Sequence, residues 1–129
     1  MTSELQRLCD RKGVKIESRY GGVEIPEGFA RDSHPYKVTL TYQRRRMTVP
    51  FFMGSALDHE PTAADVLSCL CSDATGVENA GSFEDWCNEY GYDTDSRKAE
   101  ATFKACERNA AKVRQLLGAD FDTFVRAEH

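Results

Sequence analysis

The sequence predicts an α+β fold: a small antiparallel sheet of about three strands packed with about three to four α-helices in the C-terminal half. Two observations carry this. Apolar residues alternate with a period of two between residues 36 and 54, and from Pro61 onward they recur at helical spacing. Strands come first and helices afterwards, without the βαβ alternation of a parallel sheet. No internal repeat, low-complexity stretch or linker divides the 129 residues, so a single domain is expected. Its parts are an N-terminal helix and strand over 1–35, a hairpin over 36–54 and helices over 61–127.

In the first dozen residues, Leu5, Leu8 and Cys9 stand at i, i+3, i+4, which predicts a short helix stopped by Gly13. Val14, Ile16, Ser18 and Tyr20 then alternate, a strand pattern ended by Gly21-Gly22. Residues 21–35 are rich in Gly and Pro and predict a loop, with a short extended piece around Val23 to Ile25. The clearest strand signal follows. Val38, Leu40 and Tyr42 share one face, with Lys37, Thr39, Thr41 and Gln43 on the other. Met47, Val49, Phe51 and Met53 likewise alternate with Arg46, Thr48, Pro50 and Phe52. Together they predict a hairpin near 37–53 that turns at Gln43 to Arg45. The turn lacks the Asn-Gly or Asp-Gly pair that would fix its register. Pro50 has no N–H for a ladder bond, so the second strand is expected at a sheet edge.

Thr62 with Asp65 three residues on has the form of a capping box, with Asp replacing the usual Glu, ahead of the stripe Val66, Leu67, Leu70 and Ala74. Ser82 and Asp85 repeat the signature before "FEDWCNEY", a short helix that Gly91 can end. Phe83, Trp86 and Tyr90 fall at i, i+3, i+7 and are expected in the core. The longest helix is expected from near Asp95 to Leu117, with Phe103, Cys106, Ala110, Val113 and Leu117 inside and Gly118 as its stop. Phe121, Phe124 and Val125 predict one last turn or two.

Net charge is −4, unevenly divided. Residues 1–54 hold ten Lys or Arg and six Asp or Glu, whereas residues 55–129 hold seven and fifteen, giving +4 and −8. No Lys or Arg occurs from Met47 to Ser96, a stretch with ten acids. Asymmetry of this size bears on partners rather than on fold. Asp65, Asp73, Glu84, Asp85, Glu89, Asp93 and Asp95 are therefore the candidates for engaging a cationic partner. Arg97 and Lys98 follow at once, in a first helical turn where the macrodipole disfavours cations. The opposite candidate set is Lys37 with Arg44, Arg45 and Arg46, three guanidiniums at a hairpin tip that suit phosphate or an acidic protein surface. The overall negative charge speaks against direct binding of double-stranded DNA.

Five cysteines at irregular spacing do not make a secreted disulfide framework. Cys69 and Cys71 would point about 200° apart on a helix, a poor pair for one metal. Reduced, mostly buried thiols are expected, with no metal and no cofactor. The N-terminus lacks a secretory signal and no apolar run approaches the roughly 18 residues of a membrane span, so a cytoplasmic location is expected. His34 precedes a proline, His59 stands between Asp58 and Glu60, and His129 is the last residue. G-x-S-x-G, P-loop, H-E-x-x-H and dinucleotide motifs are absent, so no enzymatic activity is expected. A cysteine–histidine pair assembled by the fold is the remaining catalytic arrangement.

"KVTLTYQRRRMTVPFFMGSA", the "PTAADVLSCLCSDA" helix and above all "SFEDWCNEYGYDTDSRKAEATFKAC" resemble a widespread family of small proteins encoded by bacteriophages and prophages. The resemblance covers residues 36–117, with GYDTDSRKAE its most specific part, and residues 1–35 are less typical. It implies a phage setting and brings no catalytic residues. Small acidic phage proteins of this type are similar to anti-CRISPR and other counter-defence inhibitors. The resemblance thus implies a non-enzymatic inhibitor in the host cytoplasm. Its partner would be a host protein or ribonucleoprotein defence complex, in the first place a nucleic-acid-binding CRISPR effector, met through the acidic surface. The alternative is a phage accessory protein that contacts nucleic acid through the Arg44–Arg46 tip. The oligomeric state stays open.

Overall fold

The computed structural model describes residues 3–24, 33–54 and 59–128. Among these the chain forms α1 (Glu4–Lys12), β1 (Lys15–Tyr20), β2 (His34–Tyr42), β3 (Arg45–Met53), α2 (Ala63–Ala80), α3 (Phe83–Tyr90), α4 (Arg97–Leu117) and α5 (Phe121–Glu128). A 3-10 turn, Gly118–Asp120, separates the last two. This is the small α+β fold that the sequence predicts: an antiparallel sheet in the order β1-β2-β3, with α2 to α5 in the C-terminal half. The chain divides into two compact units, Met1–Val66 and Leu67–His129, with α2 running from the first into the second.

In the first unit, α1 is capped at both ends. Ser3 Oγ accepts from the Gln6 N–H at 3.0 Å, and Gly13, at φ +77°, lets the Val14 N–H reach Cys9 O at 2.9 Å. The two-residue turn Gln43-Arg44 sets Tyr42 opposite Arg45, and with it the register Leu40↔Met47, Val38↔Val49 and Tyr36↔Phe51. Counting from that turn, Lys37↔Pro50 is a non-hydrogen-bonded pair, so Pro50 turns its missing N–H away from β2. β3 is an edge strand, as Pro50 predicts. Tyr36, Val38, Leu40, Tyr42, Met47, Val49 and Met53 are buried on one face. On the other, Thr39 Oγ1 lies 3.1 Å from Thr48 Oγ1 across the strands.

β2 starts at His34, inside the expected loop, because Tyr36 continues the buried row and pairs with Tyr20 on one side and Phe51 on the other. The extended piece expected at Val23 to Ile25 lies partly outside the described residues. The Thr62–Asp65 capping box forms in both directions: Thr62 Oγ1 accepts from the Asp65 N–H at 3.1 Å, and Asp65 Oδ2 accepts from the Thr62 N–H at 3.0 Å. Gln6 of α1 supplies a further acceptor to this helix start, its Oε1 taking the Ala64 N–H at 3.1 Å.

In the second unit, Leu67, Leu70, Cys71 and Ala74 form the buried stripe of α2, and Val113, Leu116, Leu117, Phe121 and Phe124 are buried on α4 and α5. α4 begins at Arg97, two residues later than expected, because Ser96 takes the cap position: its Oγ accepts from the Ala99 N–H at 3.1 Å. Arg114 of α4 holds Glu78 of α2 through two guanidinium nitrogens, Nε at 2.9 Å from Oε2, and lies 3.8 Å from the Phe121 ring centroid. Ser68 and Ser72 of α2 both donate to Glu128 Oε1, at 2.7 and 3.1 Å, which ties α5 to α2.

Candidate functional site

α3 is two turns long and has two unlike sides. Ser82 Oγ accepts from the Asp85 N–H at 3.1 Å where it starts. Gly91, at φ +76°, turns the chain out where it ends, and the Tyr92 N–H reaches Cys87 O at 2.8 Å. The inner side is apolar. Trp86 and Cys87 are buried together with Ala99 of α4, and Val77, Phe83 and Phe103 pack against them. Tyr92 stacks nearly parallel on Trp86, centroids 5.0 Å apart and planes 6° inclined, while Phe103 meets Trp86 edge-on at 5.3 Å. The periodic pattern does not single out Tyr92, which joins this stack only because left-handed Gly91 reverses the chain. Tyr90, expected in the core, is 53% exposed. As the last residue of α3 it overhangs α2 at Gly76, where an added Cβ would stand 2.7 Å from the Tyr90 hydroxyl.

The outer side is acidic. Glu84, Asp85 and Glu89 are exposed, and so are Asp93 and Asp95 in the turn that follows. Asp93 also shapes that turn: its Oδ1 takes the Asp95 N–H and its carbonyl the Ser96 N–H, both at 3.0 Å. The other two candidate acids are engaged within the chain. Asp65 closes the capping box of α2. Asp73 is half-buried and accepts from Asn109 Nδ2 at 3.0 Å. Burial pushes its carboxyl above the usual carboxylate range, and hydrogen bonds from Asn109 and Cys106 partly oppose that.

A half-open hollow of about 360 Å³ lies between α2, α3 and α4, lined by Asp73, Gly76, Trp86, Tyr90, Tyr92 and Cys106 among others. Trp86 lines the hollow but is only 5% exposed, with Tyr92 stacked on it at 5.0 Å, so the indole offers the hollow little bare surface. The Cys106 thiol is pushed up to about 12, first by burial and then by Asp73, which leaves it protonated at neutral pH and a poor nucleophile. Burial and the neighbouring Asp10 lift Cys9 to about 11, and burial followed by Asp93 raises Cys87. All five cysteines are thiols, with Cys69 exposed and Cys71 buried on opposite sides of α2. His59 sets its Nδ1 2.8 Å from Glu60 O, and its neighbour Asp58 lies outside the described residues. Among the described residues no group of three or more His, Cys, Asp or Glu is placed to hold a metal ion.

The basic candidates do not form one cluster. Arg44 sits in the turn, whereas Arg45 and Arg46 are successive strand residues and project to opposite faces. Arg45, on the inner side, donates to Gln43 Oε1 at 3.1 Å and lies 5.8 Å from the Tyr42 ring centroid. Arg46 shares the outer face with Lys37. Compared with known protein families, with curated proteins and with solved structures, the chain matches none. No helix of the described residues is long and apolar enough to cross a membrane.

Proposed function

We propose that this protein is a non-enzymatic, phage-encoded inhibitor that acts in the host cytoplasm. It docks the acidic side of α3 and the following turn on a cationic, nucleic-acid-binding surface of a host defence complex, with a CRISPR effector as the first candidate. One observation carries this reading. Glu84, Asp85, Glu89, Asp93 and Asp95 are all exposed along one short helix and the turn that follows it, in a stretch of sequence without a single Lys or Arg. A groove built for phosphates meets carboxylates of that density with the same charge logic, and long-range attraction accelerates the encounter. The aromatic side of the same helix holds this acidic side in place.

The test is the triple variant Glu84→Lys, Asp85→Lys, Glu89→Lys. Exposed charges contribute little to stability, so its melting temperature is expected to stay close to that of the parent. In a nuclease-inhibition or phage-protection assay it is expected to lose most of its activity, through slower and less salt-sensitive association. A folded variant that inhibits as well as the parent would refute the proposal.

A further inference from the structure

We infer that the outer face of the β-sheet is a second binding surface, and that it takes single-stranded nucleic acid by its phosphates. Antiparallel register gathers the side chains of this face into cross-strand rows: Lys15 with Thr41 and Arg46, Glu17 with Thr39 and Thr48, Arg19 with Lys37 and Pro50. Four cations and one acid share a surface ~10 Å wide between its outer strands, and the two cationic rows stand ~14 Å apart. Lys15, Arg19, Lys37 and Arg46 are exposed. Among the described residues none of the four takes part in an ion pair.

Arg19 and Lys37 are directly opposite each other, an arrangement that repels and lowers stability. Cations on the edge strands are explained by protection against edge-to-edge pairing, which accounts for Lys15, Arg19 and Arg46. It does not account for Lys37, which stands on the central strand. A bound anion shared by Arg19 and Lys37 removes the repulsion.

Charge complementarity selects a polyanion, and the groups between the cationic rows select its kind. Thr41 places a half-buried hydroxyl there, a donor of the type that completes phosphate contacts, beside Thr39 and Thr48, which bond each other. The next row beyond Arg19 and Lys37 holds Pro35 and half-buried Phe52, an apolar end on which a base can rest. A single strand bends to stay on this face. A stiff duplex brings many more phosphates toward a chain of net charge −4. An acidic protein segment satisfies the cations but makes no use of the apolar end at Pro35 and Phe52.

The experiment is fluorescence anisotropy with labelled oligo-U and oligo-dT of about 20 nucleotides at about 50 mM salt, with a Kd expected on the order of 10⁻⁵ M. Four phosphate contacts give a log–log salt slope of about −3. The double variant Arg19→Ser, Lys37→Ser is expected to bind at least tenfold more weakly, to lose about half of that slope and to melt at a higher temperature. A purely structural role for the pair leaves the slope unchanged. The Glu84→Lys, Asp85→Lys, Glu89→Lys variant keeps its dependence on Arg19 and Lys37, so failure of the α3 docking and failure of this face are read separately. Three results would each overturn the inference: no binding at about 50 mM salt, affinity unchanged in the double variant, or tighter binding to the matching duplex. Self-association in sedimentation that the double variant abolishes would assign the face to a second copy of the chain instead.

Discussion

Asp73 shows at the scale of one residue how the second unit handles a charge it has half enclosed. Its carboxylate accepts from Asn109, yet burial still holds its pKa above the ordinary 3.8. A carboxyl raised in the folded state favours the protonated form there. Its contribution to stability is complete below pH 3.8 and is lost as pH rises through the higher folded value. At neutral pH Asp73 therefore weakens the fold. Asp73→Asn keeps an oxygen for Asn109 and removes the charge, so the variant is expected to have a higher urea midpoint than the parent at pH 7. The gain should vanish as pH falls to about 3.8, the unfolded-state value for an aspartate. Urea titrations at a series of pH values measure this, and a lower midpoint at pH 7 would mean that the charge is held for a bond stronger than its burial cost. Asp73 stood in the sequence as one acid among ten. Its different environment comes from burial, at a place where Asn109, 36 positions away, meets it.

At the scale of elements, the hairpin turn holds a local conflict. Gln43 adopts φ +57° at the first turn position, where a II′-type hairpin prefers glycine. Gln43→Gly is expected to stabilise the sheet by about 1 kcal/mol, seen as a higher denaturant midpoint at unchanged slope. Loss of the exposed Gln43–Arg45 bond offsets only part of the gain; a lower midpoint would show that this bond outweighs the strain. Elements with such local signals were legible in the sequence: Ser82 and the Thr62–Asp65 pair cap the helices they precede, and Gly13 and Gly91 end theirs. The strand faces were legible as well, because a period of two needs only neighbouring residues. Contacts assembled across elements were not. The Arg44–Arg46 triplet reads as one cluster along the chain, and the same period divides it between two faces. The row Arg19–Lys37–Pro50 joins three strands whose register no turn motif announced. Among the candidate acids, α3 was readable because the aromatic stripe fixes which side is wet. The half-buried place of Asp73 depends on how α2 and α4 meet.

Across the whole molecule, the charge pattern makes a prediction about salt. The residues from Met47 to Ser96 carry ten acids and no base, and five of those acids are exposed around α3 and its following turn. At about 10 mM salt the Debye length is ~30 Å, so the acids repel one another over the width of a compact unit; near 150 mM it shrinks to ~8 Å. Screening therefore relieves the folded state. The Lys104–Glu100 and Arg114–Glu78 pairs lose some attraction in the same range, but their side chains are exposed enough for that loss to be small. Calorimetry is expected to show a melting temperature that rises by a few degrees between about 10 and about 150 mM NaCl. The triple lysine variant of α3 changes net charge by six, from −4 to +2, and replaces the densest part of the acidic surface. Its melting temperature should rise less with salt, or fall. A parent protein that melts lower as salt is added would show that attraction, not repulsion, dominates its surface. The acidic side of α3 would then already be balanced within the chain, with no surplus of charge left to draw in a cationic partner.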